Sequence, residues 1–212
     1  FGTKTIPRVD KIIGPGNAYV IEAKRQVFGH VDIEMLPGPS EVVIIANQHA
    51  NPLFIKADLA AQGEHYMGTS ILITTSKAVA KELKKEMAKG YIILVKNLNE
   101  AIEVANKIAP EHLQLMVKDP WKLIKNIRNP GAVFVGPWTP VSIGDYIAGP
   151  SHVLPTGGTA KFFSGLGIDD FMKRSSIVFY TKKALEKVRE PVERLAGIEG
   201  LTKHVESVKV RF

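Results

Sequence analysis

Acid–base or metal chemistry in this 212-residue chain would centre on its six histidines, at positions 30, 49, 65, 112, 152 and 204, because it contains no cysteine. Without thiolates, a metal would have to be held by imidazole, carboxylate or amide groups. His30 and His49 sit in ordinary connecting segments and read as structural. His65 differs, since Gln62 lies three residues before it in Asp58-Leu-Ala-Ala-Gln-Gly-Glu-His65. On a helix that spacing puts both side chains on one face, where an amide oxygen and an imidazole nitrogen could share one ion. The same spacing is also common by chance.

Glu111 and His112 follow Pro110 where a helical stretch gives way to a β-branched run. Together they supply two proton acceptors that work near neutral pH. The plainer reading is a histidine placed favourably against a helix C-terminus. Adjacent residues of a strand point to opposite faces, so both can serve one substrate only if the junction turns them into one cleft. Two glycine-rich turns, Gly14-Pro-Gly-Asn17 and Pro37-Gly-Pro-Ser-Glu41, are neither a Walker loop nor the Gly-x-Gly-x-x-Gly dinucleotide fingerprint. Each by itself reads as a tight turn.

The elements that must position these groups are legible in the hydrophobic pattern. Residues 41–46, 70–74, 91–95, 112–117 and 132–135 are short apolar runs that read as buried strands. Amphipathic helices are expected over 51–61, 76–88, 97–108 and 119–127, opened by Asn51 before Pro52, Ser76, Asn97 or Asn99, and Asp119 before Pro120. Strands and helices at this interval imply βαβ units, hence an α/β fold with a mainly parallel sheet covered by helices. Such sheets usually bind ligands at the strands' carboxyl ends, so the site is expected there. Residues 137–171 are rich in Gly, Pro, Ser and Thr, and the loops 142–152 and 155–160 are expected to be irregular and functional. A strand over 175–181 and helices over 183–196 and 198–208 would form a small terminal module.

Composition narrows the function classes. The net charge is +7 and the pI about 9.5, yet Lys and Arg are interleaved with Glu along the helical stretches, which argues for solvated faces rather than a nucleic-acid surface. No apolar run approaches the roughly 20 residues of a membrane helix, and Phe1-Gly2-Thr3-Lys4 has neither a signal layout nor an initiator Met. The expectation is a soluble, cytoplasmic protein whose N-terminus is a cut end.

Six blocks in order, Val9-Asp-Lys-Ile-Ile-Gly-Pro-Gly-Asn-Ala-Tyr-Val-Ile-Glu-Ala-Lys-Arg-Gln-Val27, Pro37-Gly-Pro-Ser-Glu-Val42, Gln62-Gly-Glu-His65, Ala109-Pro-Glu-His-Leu113, Gly144-Asp-Tyr146 with Ser151-His-Val-Leu-Pro155, and Gly200-Leu-Thr-Lys-His204, closely resemble histidinol dehydrogenases. The resemblance covers essentially the whole chain and begins near the middle of the family's length, so an upstream half is expected to be missing. It implies an incomplete Rossmann-like fold in three parts: 1–40 as a remnant of a second, NAD-side domain, 41–168 as the main α/β domain, and 169–212 as a tail crossing to a partner in a homodimer. It further implies oxidation of L-histidinol to L-histidine with two NAD+ and a Zn2+ held by Gln62, His65, Asp145 and His204. Ser40, His112, His152 and Glu199 match positions that touch substrate, Asn17 one that touches NAD, and Glu111 with His112 the catalytic pair. Glu199 and His204 would complete the partner's site. Gly63 departs from the pattern, where a better helix former is expected. A zinc-dependent hydrolase using the same ligands, and a non-catalytic dimerisation module, are the alternatives.

Overall fold

A computed structural model describes residues 2–85 and 90–212. It divides into two compact units, Phe1–Met172 and Lys173–Phe212. The first contains a five-stranded, wholly parallel sheet in the order β5-β4-β3-β6-β7, made of β3 (Glu41–Ala46), β4 (Thr69–Thr74), β5 (Tyr91–Leu94), β6 (His112–Met116) and β7 (Ala132–Val135). β3 lies at the centre because its run Val42–Ala46 is apolar at every position and so tolerates burial on both faces. Alternate residues feed two cores. Val42, Ile44, Leu72 and Met116 pack under α2 (Pro52–Gln62) and α3 (Lys77–Lys84), while Val43, Ile45, Ile73, Leu113 and Leu115 pack under α4 (Leu98–Ile108). The sequence calls for this α/β architecture, and the structure has it.

Local chemistry sets the helix starts. Asn51 accepts from Leu53 N–H at 2.9 Å with Pro52 in the first turn, Ser76 caps α3 through Val79, and Asn97 caps α4 through Glu100. The expected span of α3 reaches residue 88, and its last three positions lie outside the described residues.

Two expected elements take other forms. Residues 119–127 make two short 3-10 turns, Pro120–Lys122 and Ile124–Asn126, instead of one helix. Asp119 makes no capping bond, and the chain is held to α4 because Asn106 donates to Asn126 O at 2.9 Å and accepts from Arg128 N–H at 2.9 Å. Residues 175–181 take no regular structure and pair with no strand among the described residues, leaving Ile177 and Phe179 97% and 83% exposed. A strand pattern without a ladder partner cannot become a sheet.

Ahead of the sheet, α1 (Ala18–Val27) stands beside a two-stranded parallel pair, β1 (Lys11–Ile12) and β2 (Asp32–Ile33), linked by Lys11–Asp32 at 2.9 Å. A short helix, α5 (Val141–Tyr146), occupies part of the expected irregular loop 142–152. The second unit is a hairpin of α6 (Lys182–Ile198) and α7 (Thr202–Lys209), turned at Gly200, whose φ of +73° suits glycine.

Candidate functional site

Parallel pairing brings the amino ends of β3 and β6 side by side, with Val42 opposite His112. One residue earlier on each strand, Glu41 and Glu111 therefore become neighbours. Ser40 Oγ donates to Glu111 Oε2 at 2.5 Å, and Glu41 N–H donates to the same oxygen at 3.1 Å. His112 Nδ1 stands 3.5 Å from that oxygen, a close electrostatic contact too long for a hydrogen bond, and this buried nitrogen has no other partner. The junction thus turns Glu111 and His112 into one cluster. Both are more than nine-tenths buried.

Ala109, the last residue before Pro110, makes this turn in the left-handed region at φ 54°, with no exposed surface. Behind the turn, Gly131 passes so close that a β-carbon there would stand 2.7 Å from Glu111 O. The main chain at Glu111 is therefore fixed from both sides.

His112 opens into a cavity of about 150 Å³, lined also by Phe134, Gly144, Asp145, Ser151 and His152. The edge of one ring meets the face of the other at 5.7 Å between His112 and Phe134, which fixes the imidazole plane. Gly144 allows α5 to approach, since a β-carbon there would meet the Phe134 ring at 2.7 Å. Three of the residues singled out in the sequence, His112, Asp145 and His152, thus share one small cavity.

The site corrects the expectation drawn from open parallel sheets. Ser40 and Glu111 directly precede β3 and β6 and His112 opens β6, so they cluster at the amino ends of the strands, not the carboxyl ends, and His65 lies in the turn ahead of β4. The placement of His65 also differs. α2 ends at Gln62, and His65 lies in the following turn, tied back by its own N–H to Gln62 O at 3.2 Å. Gly63 caps the helix in ordinary helical geometry and ends it before His65 can join its face. Gln62 is buried, its Nε2 without a partner, whereas His65 is exposed.

Beyond this cluster, Asn17 caps α1, its Oδ1 accepting from Tyr19 and Val20 N–H at 3.1 and 3.2 Å. The preceding turn is clamped by a buried ion pair. Lys24 Nζ lies 2.6 Å from Glu34 Oε1 and donates to Gly14 O at 2.5 Å, while Gly14 N–H donates to Glu34 at 2.9 Å. Burial pushes the Glu34 carboxyl up, but the Lys24 and Gly14 hydrogen bonds outweigh it and hold it below the usual range. Glu199 caps the C-terminal end of α6 and His204 lies in the first turns of α7; both are exposed in the second unit.

The donor set suits a borderline cation, since amide, imidazole and carboxylate ligands need no thiolate. The unpartnered Gln62 amide also fits a ligand position, because a half-turn about its last bond exchanges nitrogen for oxygen. Yet among the described residues no three of His, Asp and Glu gather closely enough to hold an ion. The fit lies in the chemistry of the donors.

A family model described as histidinol dehydrogenase matches residues 1–212. The chain belongs to the histidinol dehydrogenase family. Relatives named histidinol dehydrogenase include one from Caldanaerobacter subterraneus subsp. tengcongensis, 49% identical over 231 residues, and one from Listeria monocytogenes, 47% identical over 230; each alignment covers the whole chain and 54% of the relative. The crystal structure of histidinol dehydrogenase from Elizabethkingia anophelis superposes with a TM-score of 0.88 at 36% identity, over all of this chain and 53% of that one. The chain spans about half the length of these relatives.

Two polar residues with tertiary roles, one in this cluster and one beside it on β6, escaped the sequence reading. Glu41 carried no signal beyond its seat in a glycine-rich turn. Gln114, with no exposed surface in mid-β6, donates to Asp58 Oδ2 at 2.7 Å and to Thr139 O at 3.1 Å, joining the helix that carries Gln62 to the segment leading into α5. A lone Gln in an apolar run was the only hint.

Proposed function

We propose that these residues form part of the active site that oxidises L-histidinol to L-histidine with two NAD+, through the aldehyde. The observation that supports this most is the Ser40–Glu111–His112 cluster, whose His112 lines a cavity sized for a small metabolite, well below the roughly 300–1,000 Å³ typical of drug-sized ligands. Gln62, His65 and Asp145, with His204 of a second copy, are proposed to hold zinc, and Asn17 to contact NAD. When bound, zinc would orient the substrate's nitrogens and NAD+ would accept the two hydrides.

This chain's own groups manage the protons. His112 accepts the hydroxyl proton as the first hydride leaves the carbinol carbon. Glu111, held by Ser40 Oγ and Glu41 N–H, takes a proton from the water that adds to the aldehyde. His112 returns its proton to the aldehyde oxygen as the water adds, so the hydrate forms beside a neutral imidazole. The hydrate then loses a second hydride while His112 accepts a hydroxyl proton, and the resulting carboxylic acid releases its remaining proton to solvent. Burial around His112 keeps bulk water away from the aldehyde between the two oxidations.

The test follows NADH formation from L-histidinol, with the chain alone and with the complementary half of a relative supplied separately. Glu111→Gln is expected to slow aldehyde-to-histidine turnover by about 10²-fold or more while sparing alcohol oxidation, and His112→Gln to slow both. Equal losses on both halves in the Glu111 variant overturn the division of labour. No turnover in either arrangement overturns the activity. In parallel, His65→Asn is expected to lose most of its metal at limiting zinc, and full occupancy would refute the ligand assignment.

A further inference from the structure

Glu41 and Glu111 hold each other in a reciprocal grip. Glu41 N–H donates to the Glu111 carboxylate, and the main-chain N–H groups of Glu111 and Gly157 in turn face the Glu41 carboxyl and favour its charged form. This follows from the register, which sets the two residues side by side at the amino ends of adjacent parallel strands. The remaining oxygen, Glu41 Oε2, is buried and has no partner. An ionised carboxylate with a buried, undonated oxygen is costly, and a second carboxylate alongside raises the cost. Burial foremost, and the charge of Glu111 in addition, push the Glu41 carboxyl above its usual range against the pull of the two N–H groups.

We propose that Glu41 is a positioning residue for Glu111, carrying the single proton of the carboxylate pair on Oε2 while its other oxygen fixes the main chain of Glu111 and of the Gly157 turn. The charge then rests on Glu111, whose Oε2 is already stabilised by Ser40 Oγ and Glu41 N–H. The neighbouring titratable groups are Glu111, just before β6, and His112 at its start; β4 presents Thr69 opposite Glu41, and the Gly157 turn supplies only main chain. The inference rests on the reading of Glu111 as the catalytic carboxylate, but its test needs no turnover.

The 212-residue chain, labelled with 13C at the glutamate carboxyls, is titrated by NMR, and the Glu41 signal is identified by its loss in Glu41→Gln. Glu41 is expected to titrate at higher pH than the exposed Glu186 and Glu190, and Glu111→Gln to bring its midpoint down towards theirs. Glu41→Gln keeps an acceptor in place and is expected to leave the Glu111 and Gly157 amide signals nearly unmoved. Glu41→Ala is expected to shift both and to speed their hydrogen exchange at least about tenfold, since each loses its acceptor. Titration of Glu41 together with the exposed glutamates, or indifference to Glu111→Gln, overturns the proton assignment. Equal amide shifts in the Gln and Ala variants overturn the positioning role. Should Glu41→Ala fail to fold, the Gln variant and the Glu111→Gln titration still decide both points. Absence of histidinol oxidation would bear on the proposed function alone.

Discussion

The matched residues of the first unit and those of the second are held in opposite ways. Glu111, His112 and Gln62 are buried, and the Glu111 carboxylate is held by Ser40 Oγ and Glu41 N–H, whereas Glu199 and His204 stand exposed on a helical hairpin. Buried polar groups with fixed partners are set in place before any ligand arrives, because moving them would strand a donor or acceptor away from water. Exposed side chains retain their rotamer freedom and must lose it on binding. The geometry at Glu111 is thus built into the sheet, and the hairpin supplies side chains that only a further contact would immobilise.

Removing one charge from each region breaks this comparison most sharply. Lys24→Met strands Glu34 inside the first unit and is expected to cost about 3–5 kcal/mol of its stability, read from urea unfolding. A loss under 1 kcal/mol would mean that the pair is not buried in solution. Gly131→Ala comes next, since its β-carbon would press on Glu111 O and cost about 1–3 kcal/mol through overpacking. The His112 ring signals should move with it; unshifted signals would show that the Glu111 turn yields freely.

A smaller effect is expected from Asp58, whose carboxyl is pushed up by burial, with the Gln114 hydrogen bond opposing. An acid raised in the folded state contributes stability that is fully present below its unfolded pKa and lost as pH rises through the folded one. Stability of the first unit should therefore fall as pH climbs from just below 4, and Asp58→Asn should flatten that slope. An unchanged slope would place the titration elsewhere. The smallest effect belongs to the hairpin. Arg189→Met breaks the partly exposed pair with Glu193 at 2.7 Å and the stacking over Phe212, and should cost under about 1 kcal/mol. A larger loss would mean that the hairpin is as tightly tied as the sheet.

The sequence by itself determined the five strands, the caps at Asn51, Ser76 and Asn97, and the α/β class, because periodicity and capping are local and need no knowledge of the rest of the chain. It also marked Glu111–His112 and Gln62–His65 as candidates through residue type and spacing. Only the tertiary structure decided that Ser40, Glu111 and His112 gather at the amino ends of the strands, since that depends on which neighbours the register sets beside Ser40 and Glu111. It likewise decided that residues 119–127 turn tightly, through Asn106 twenty residues away, and that 175–181 forms no ladder, because a strand exists only where another offers its hydrogen bonds. Glu41 became visible for the same reason: its carboxyl acquires meaning from Glu111, seventy residues along the chain and one hydrogen bond away in space.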